Sequence, residues 1–322
     1  VRQALTRPAA APIASRQTLS GMNQVLLQLR SGTGHDFSLY RKSTIGRRVQ
    51  RRMAQHNIDD VTVYARFLKA NPAELQALFR EILVNVTSFF RDPEAFIALK
   101  ESILPPLLAG KAADDMFRVW VAGCATGEEA YSIAIVLREL MDELQVTGRP
   151  QVHLQIYATD LDDDAIAVAR AGRYPPNISQ DLTPERLRRF FAKDDAGYTV
   201  KKDIREMVVF AVHNVIKDPP FGRLDLLSCR NLMIYMEPEL QARLIPIFHH
   251  ALRPAGVLFL STSESITRHT ELFSALDHKW KLYRARHAAS AVGPTAADRL
   301  RWAASKLDRT TEASASGKPK TS

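Results

Sequence analysis

The sequence predicts an α/β protein: a parallel sheet carrying a ligand site, with a small all-helical module ahead of it. Three observations predict this. Residues 119–137 (VWVAGCATGEEAYSIAIVL) read as a buried strand, a small-residue turn and a helix that is apolar on most sides. Three further apolar runs, residues 152–158, 207–213 and 224–228, have strand character and each ends in polar residues. Before residue 85 the apolar residues recur at helical spacing. A buried strand, a glycine turn and a helix is how α/β proteins build a ligand site at the carboxyl end of a parallel strand. Glycine there lets the backbone approach a ligand where a Cβ would clash.

The turn is not a dinucleotide fingerprint. Gly123 and Gly127 are spaced G-x-x-x-G, and Glu128 and Glu129 follow at once. Carboxylates at a helix N-terminus repel a pyrophosphate but suit a cationic ligand. The plain alternative is a Glu-rich first turn with no ligand role.

The bulk numbers fit a globular chain with ample core: 322 residues, 46% hydrophobic and 25% charged. Cys124 and Cys229, the two cysteines, are far apart in apolar stretches, which points to reduced thiols in a cytoplasmic protein. No run approaches the ~20 apolar residues of a membrane span, so the protein is not expected to insert in a membrane. The opening VRQALTRPAAAPIAS has proline breaks and no signal-peptide core, and it lacks an initiator Met, as a fragment of a longer protein would. The net charge of +9 is concentrated in Arg41, Lys42, Arg47, Arg48, Arg51 and Arg52. Such a patch attracts an acidic partner, although a solvated helix face is the default reading.

Taken in order, residues 1–19 are Ala/Pro-rich and read as linker. Residues 20–92 form the helical domain. A helix from about Met22 ends near Gly32, and a second covers residues 38–56 with Leu39, Ile45, Val49 and Met53 inward and the arginines outward. Two more follow at residues 60–70 and 72–84. Asp92-Pro93-Glu94 then starts a helix, with a capping carboxylate and Pro in the first turn, and residues 93–286 form the second domain. The 152–158 strand ends at Asp160, where α/β proteins bind the ribose or base edge of a nucleoside, and one of Asp160, Asp162, Asp163 and Asp164 caps the next helix. Residues 173–206 read as a small insertion, with GYTVKKDI strand-like and Lys201, Lys202 and Arg205 outward. After the strand ending in Asn214 and the one ending in Cys229-Arg230-Asn231, a Pro-started helix runs from Pro238 to about Leu252. Strands VLFLST and KWKLYRA follow, the last from about His278. Residues 287–322 read as a linker, partly helical over 298–306.

Four segments in this order are specific: Asn85-Val86-Thr87-Ser88-Phe89-Phe90-Arg91, Gly123 to Ser132 (GCATGEEAYS), Ala158-Thr159-Asp160, and Cys229-Arg230-Asn231-Leu232-Met233-Ile234-Tyr235. They resemble the CheR family of S-adenosylmethionine-dependent methyltransferases, which esterify glutamates on bacterial chemoreceptors, over roughly residues 22–286. The Leu-Leu-Ser-Cys-Arg-Asn wording further resembles members fused to methylesterase or sensory domains. The resemblance implies a class I methyltransferase sheet (Rossmann-like, strand order 3-2-1-4-5-7-6, strand 7 antiparallel), an N-terminal all-helical domain, and a small β-subdomain supplied by residues 173–206. It implies S-adenosyl-L-methionine as cofactor, leaving S-adenosyl-L-homocysteine. Asn85, Thr87 and Arg91 would contact that cofactor from the interdomain loop. Gly123 would line its turn, Glu129 with neighbouring Glu128 would hold its methionine or ribose end, and Asp160 its ribose or adenine region. Asn214 and Val215 would flank the adenine, and Arg230 and Asn231 the methionine part. Arg91 and Tyr235 would lie nearest the transferred methyl. Some members dock a receptor tail peptide through a β-subdomain loop; residues 192–198 are short for that.

The chemistry needs little. A glutamate of ordinary pKa is already ionised at neutral pH and needs no general base, which suits a chain whose motifs hold no Ser/His/Asp triad. The nine histidines lack ligand spacing, so no metal is expected. Cys124 and Cys229 read as packing residues, not nucleophiles. The basic helix with Arg47, Arg48, Arg51 and Arg52 would attract the acidic methylation helices of a chemoreceptor's cytoplasmic bundle. Two rival readings are a regulatory module that binds the cofactor or its product without turnover, and a nucleic-acid methyltransferase. Against the second, the Asp218-Pro219-Pro220-Phe221 run precedes its strand, where an amino-methylating tetrad should follow one.

Overall fold

Burial of one apolar stripe per helix assembles the N-terminal module. The computed structural model describes residues 13–112, 115–146, 152–266 and 269–286. Helices α1 (Ile13–Thr33), α2 (Lys42–Gln55), α3 (Val61–Ala70) and α4 (Pro72–Ile82) enclose Val25, Leu29, Ile45, Val49, Leu68 and Leu78, all 2% exposed or less. Ile45, Val49 and Met53 repeat every four residues, one ridge of an amphipathic helix. Asp60 caps α3 by accepting from the Thr62 and Val63 amides. Helix α1 begins at Ile13, ahead of the Met22 expected, and runs through Gly21. That glycine is a packing residue here: a Cβ on it would lie 2.5 Å from Val61 Cγ1.

One expectation for α2 is corrected. Arg52 does not face outward, because Nε donates to Glu74 Oε1 at 2.9 Å and its side chain is only 18% exposed. Tyr64 OH and His56 Nε2 reach the same carboxylate at 2.7 Å each. Burial alone would push the Glu74 carboxyl up, but these three partners outweigh it and hold it at about 2. Arg47 and Arg51 stay exposed, Arg51 beside Glu81 at 3.3 Å, and Arg48 is half-buried. Leu39 is half-buried.

Beyond the module, α5 (Pro93–Ala98) passes through a wide π-type turn, Leu99–Ile103, into α6 (Leu104–Ala109). Pro105 and Pro106 lack the amides that a regular helix would use, which accounts for the irregular turn beside them. Then come β1 (Met116–Ala122), α7 (Glu128–Val146), β2 (His153–Asp160) and α8 (Asp163–Ala171), capped by Asp162. A small antiparallel sheet, β3 (Arg173–Tyr174), β4 (Phe191–Asp194) and β5 (Gly197–Val200), carries α9 (Pro184–Phe190) and α10 (Lys202–Arg205). Its β4 and β5 are joined by Asp195 and Ala196 alone, and the strand-like run of GYTVKKDI breaks after Val200 into α10. The chain continues through β6 (Val208–Val212), β7 (Leu224–Cys229), α11 (Pro238–Ala251), β8 (Leu252–Leu260), β9 (Phe273–Asp277) and β10 (Leu282–Ala285).

The main sheet has seven strands in the order β6-β2-β1-β7-β8-β10-β9. Counted along the chain this is 3-2-1-4-5-7-6, the expected class I methyltransferase order. β1, β2, β6, β7 and β8 are parallel neighbours, and β10 runs antiparallel to β8 and β9. Strand β9 is an addition to the reading above: FSALD is short and only its first residue is buried, so no clean alternation marks it. Helix α7 covers one face and is buried along most of its length, while α11 packs Phe248 against Trp120 on the other. Because β1, β2, β6 and β7 are parallel, Ala122, Asp160, Val212 and Cys229 end on one edge of the sheet. The expected linkers, residues 1–12 and 287–322 with its helix at 298–306, lie outside the described residues.

Candidate active site

The first turn of the site is tied to the neighbouring strand. Gly123 N and Cys124 N both donate to the Thr159 carbonyl, at 2.8 and 3.0 Å. Ala125 N donates to Asp160 Oδ2 at 2.8 Å, and Asp160 Oδ1 accepts from Asp162 N at 3.0 Å. Gly123 has φ +76°, a left-handed conformation that suits glycine. Asp160 thus joins the β1–α7 turn to the start of α8 through backbone amides, and among the described residues no basic side chain forms an ion pair with it. Burial pushes its carboxyl above the usual range in spite of those amides.

The helical module closes over this edge through the α1–α2 loop. Glu237 N donates to the Leu39 carbonyl and Arg41 N to the Tyr235 carbonyl, both at 2.8 Å, so Tyr40 pairs antiparallel with Met236. Asn214 Nδ2 lies 3.2 Å from His35 Nδ1, and the His35 ring stacks on Phe79. Between module and sheet lies a cleft. The sheet side contributes Gly123, Ala125, Asp160, Asn214, Val215, Asn231 and Tyr235. The module side contributes Tyr40 and Thr44, and the interdomain segment contributes Leu83, Val84 and Asn85.

Seven of the residues singled out from sequence therefore share this cleft: Asn85, Gly123, Asp160, Asn214, Val215, Asn231 and Tyr235. Two of them also hold the fold. Asn85 Nδ2 donates to Asp162 Oδ2 at 2.6 Å, and Asn214 Oδ1 accepts from Ile216 N at 2.9 Å. Thr87, Arg91, Glu128, Glu129 and Arg230 stand outside the cleft lining. Glu128 accepts from its own neighbour, the Thr126 hydroxyl, and burial raises its carboxyl.

Arg230 is the hub of the second group. Its side chain is 1% exposed and stacks over Phe259, with Cζ 4.6 Å from the ring centroid. Nη2 donates to Asp92 Oδ2 at 2.7 Å and to the Arg91 carbonyl at 2.9 Å, and Nη1 lies 3.3 Å from Glu129 Oε2. Glu129 also accepts from the Ser228 hydroxyl at 2.7 Å. Burial raises the Glu129 carboxyl, and Arg230 opposes that rise. Asp92 is not the helix cap expected: it has φ +60°, makes no side-chain cap bond, and gives its carboxylate to Arg230. Arg230 thereby fixes the 89–92 turn that carries Arg91. Arg91 donates to the Val86 carbonyl at 3.0 Å and, among the described residues, makes no ion pair.

Sequence reasoning missed Tyr40, His35, His213 and Glu264. Glu264 is 5% exposed and, among the described residues, has no cationic partner. Its Oε2 accepts from Asn231 N, Ser261 N and the Ser261 hydroxyl, and its Oε1 accepts from Met233 N at 2.7 Å. This carboxylate templates the 231–235 loop, in which Asn231 has φ +58°. Its signal in the sequence is slight, a Glu directly after Ser261-Thr262-Ser263 at a strand end.

The cleft can be tested against a nucleoside-bearing sulfonium ligand. Asp160 offers acceptor capacity and, among the described residues, makes no ion pair. His213 Nε2 lies 3.0 Å from the Pro219 carbonyl, which only accepts, so this nitrogen carries the proton. Its Nδ1 is buried at the cleft wall and, among the described residues, has no hydrogen-bond partner. A donor-rich, positively charged ligand fits such a set.

Comparison with known proteins agrees. Residues 85–282 match the family described as CheR methyltransferase, SAM binding domain, and residues 20–83 match the CheR methyltransferase all-alpha domain. An uncharacterized 104.1 kDa protein in the hypE 3′ region of Rhodobacter capsulatus is 42% identical over 250 residues, covering 78% of this chain but 26% of that protein. Chemotaxis protein methyltransferase 1 of Pseudomonas aeruginosa is 31% identical, over 69% of this chain and 81% of its own length. The Escherichia coli chemotaxis protein methyltransferase is 29% identical, over 76% and 81%. Among the described residues no helix is long and apolar enough to cross a membrane.

Proposed function

Since the chain belongs to the CheR methyltransferase family, whose cofactor is S-adenosylmethionine, we propose that it methylates glutamate side chains of bacterial chemoreceptors, forming glutamyl methyl esters. The observation that carries the reading is the cleft beside Asp160, closed by the helical module and edged by Tyr235. The names of the Pseudomonas and Escherichia relatives, chemotaxis protein methyltransferases, support the substrate class.

When bound, S-adenosylmethionine supplies a methyl group on a sulfonium that leaves as a neutral thioether. Asp160 with Asn214 and Val215 would hold the nucleoside end, and Gly123, Asn231 and Asn85 would border the rest. Tyr235 would orient the incoming carboxylate through its hydroxyl. Arg91, free of any ion pair, would steady the same carboxylate by a charge-assisted hydrogen bond. The carboxylate arrives ionised, so these residues align it and exclude water. Glu129 and Arg230 act one step back, by fixing the turn that carries Arg91. The exposed arginines of α2, Arg47 and Arg51, with half-buried Arg48 beside them, would attract the receptor's acidic helices, and added salt should weaken that attraction. The chain covers about a quarter of the Rhodobacter protein's length, so further fused domains belong to the proposal as well.

Incubation with methyl-labelled S-adenosylmethionine and a purified chemoreceptor tests the assignment. Label should enter the receptor and be released by mild base as methanol. Base-stable label on the receptor would rule out the ester.

A further inference from the structure

The N-terminal module does more than cover the cleft. Tyr40 lies on the module side of it, across from Asp160 and Asn231. The residue is held firmly: Tyr40 N donates to the Phe37 carbonyl at 3.0 Å, and its ring meets Phe37 edge-on at 4.9 Å. Its backbone is paired with Met236. Its hydroxyl, in contrast, has no hydrogen-bond partner within the protein among the described residues. Burial, with the Asp160 charge adding to it, pushes the phenol up to about 12, so the hydroxyl remains a donor throughout the physiological range. An anchored ring with a free hydroxyl, facing a carboxylate that has acceptor capacity left, makes a donor–acceptor pair across one cleft. A diol is the ligand group that satisfies both at once, because each of its hydroxyls donates and accepts.

We infer that Tyr40 is a cofactor-binding residue, contributed by the helical module, that hydrogen-bonds the ribose hydroxyls of the S-adenosyl ligand opposite Asp160. The inference rests on the cofactor reading above. It gives the module a direct part in ligand affinity: the cofactor bridges the α1–α2 loop and the sheet, and its binding strengthens their docking.

Tyr40→Phe removes the hydroxyl and keeps the ring against Phe37. Calorimetric titration with S-adenosylhomocysteine should show a Kd raised roughly tenfold over the wild type, the effect of one lost hydrogen bond. The melting temperature without ligand should be unchanged, because the lost group has no partner within the protein. The stabilisation given by a fixed ligand concentration should shrink. Equal affinities for wild type and Tyr40→Phe would overturn the Tyr40 assignment and leave the cofactor reading standing. Absence of binding by well-folded wild type would overturn both. A drop in the unliganded melting temperature, with affinity unchanged, would show a structural role in place of the proposed one.

Discussion

Arg230→Met should lower the stability of the protein by about 3–5 kcal/mol, the cost of breaking a buried ion pair from one side, and abolish methyl transfer. The wild-type guanidinium serves Asp92, the Arg91 carbonyl and Glu129 together from a position 1% exposed. Asp92, 37% exposed, can turn to water once the guanidinium is gone, but Glu129, 14% exposed, cannot. Its carboxyl, already raised by burial, should rise further. A carboxyl raised in the folded state favours folding at low pH and loses that contribution as pH climbs through its folded value. The deficit of the variant should therefore be smallest in acid and grow toward neutrality. Activity falls for a separate reason: Phe90 and Asp92 both hold positive φ, and the turn that carries Arg91 loses the anchor that keeps it there. Arg230→Lys should rescue little, since an ammonium cannot donate in three directions from a planar fork. Denaturant titration at two pH values, together with turnover, checks this. Stability within 1 kcal/mol of wild type would contradict it.

Glu264→Gln should lower kcat/KM by about 10–100-fold with a smaller loss of stability, about 1–3 kcal/mol. All the groups around this carboxylate are donors, so an amide must point its own N–H groups at one of them. The least costly orientation sets the amide against Met233 N and keeps the oxygen on Asn231 N and Ser261. The turn from Met233 to Tyr235 then loses its template, and the Tyr235 hydroxyl loses its position at the cleft edge. Glu264→Asp should do no better, because the shorter side chain cannot reach both segments. Turnover and denaturant titration on the same preparations separate the two effects. Full activity in Glu264→Gln would show that the 231–235 loop holds its shape without the carboxylate.

These two residues also mark the limit of what the sequence discloses. Strand and helix periods gave most of the strands and the helical module, because period 2 and period 3.6 state which face of an element is buried; the strand order came only from the family resemblance. Placement at strand ends gave Gly123 and Asp160, since parallel strands deliver their carboxyl ends to one edge, and the family resemblance added Asn214 and Asn231. Neither argument states which partner a polar side chain meets. Arg52 shares its exposed-looking helix with Arg48 and Arg51, yet turns inward because Glu74, 22 residues away, waits beneath it. Arg230 and Glu129 are adjacent to the cleft in sequence and are used one layer behind it. Tyr40 and His35 sit in an unremarkable loop, and only tertiary pairing with residues 214 and 236 brings them to the ligand side. Strand β9 escaped because a short antiparallel edge strand has too few buried residues to form a pattern.

The central claim is that the cofactor lies between the helical module and the carboxyl edge of the sheet, touching both. Amide hydrogen exchange with and without saturating S-adenosylhomocysteine tests it most directly. Exchange should slow in peptides covering residues 35–45 and 83–87 of the module and linker, and in those covering 123–126, 158–162, 213–216 and 231–236. The amino-terminal ends of β1 and β7 should be unaffected. Protection confined to the sheet segments, with none over residues 35–45 and 83–87, would contradict the claim.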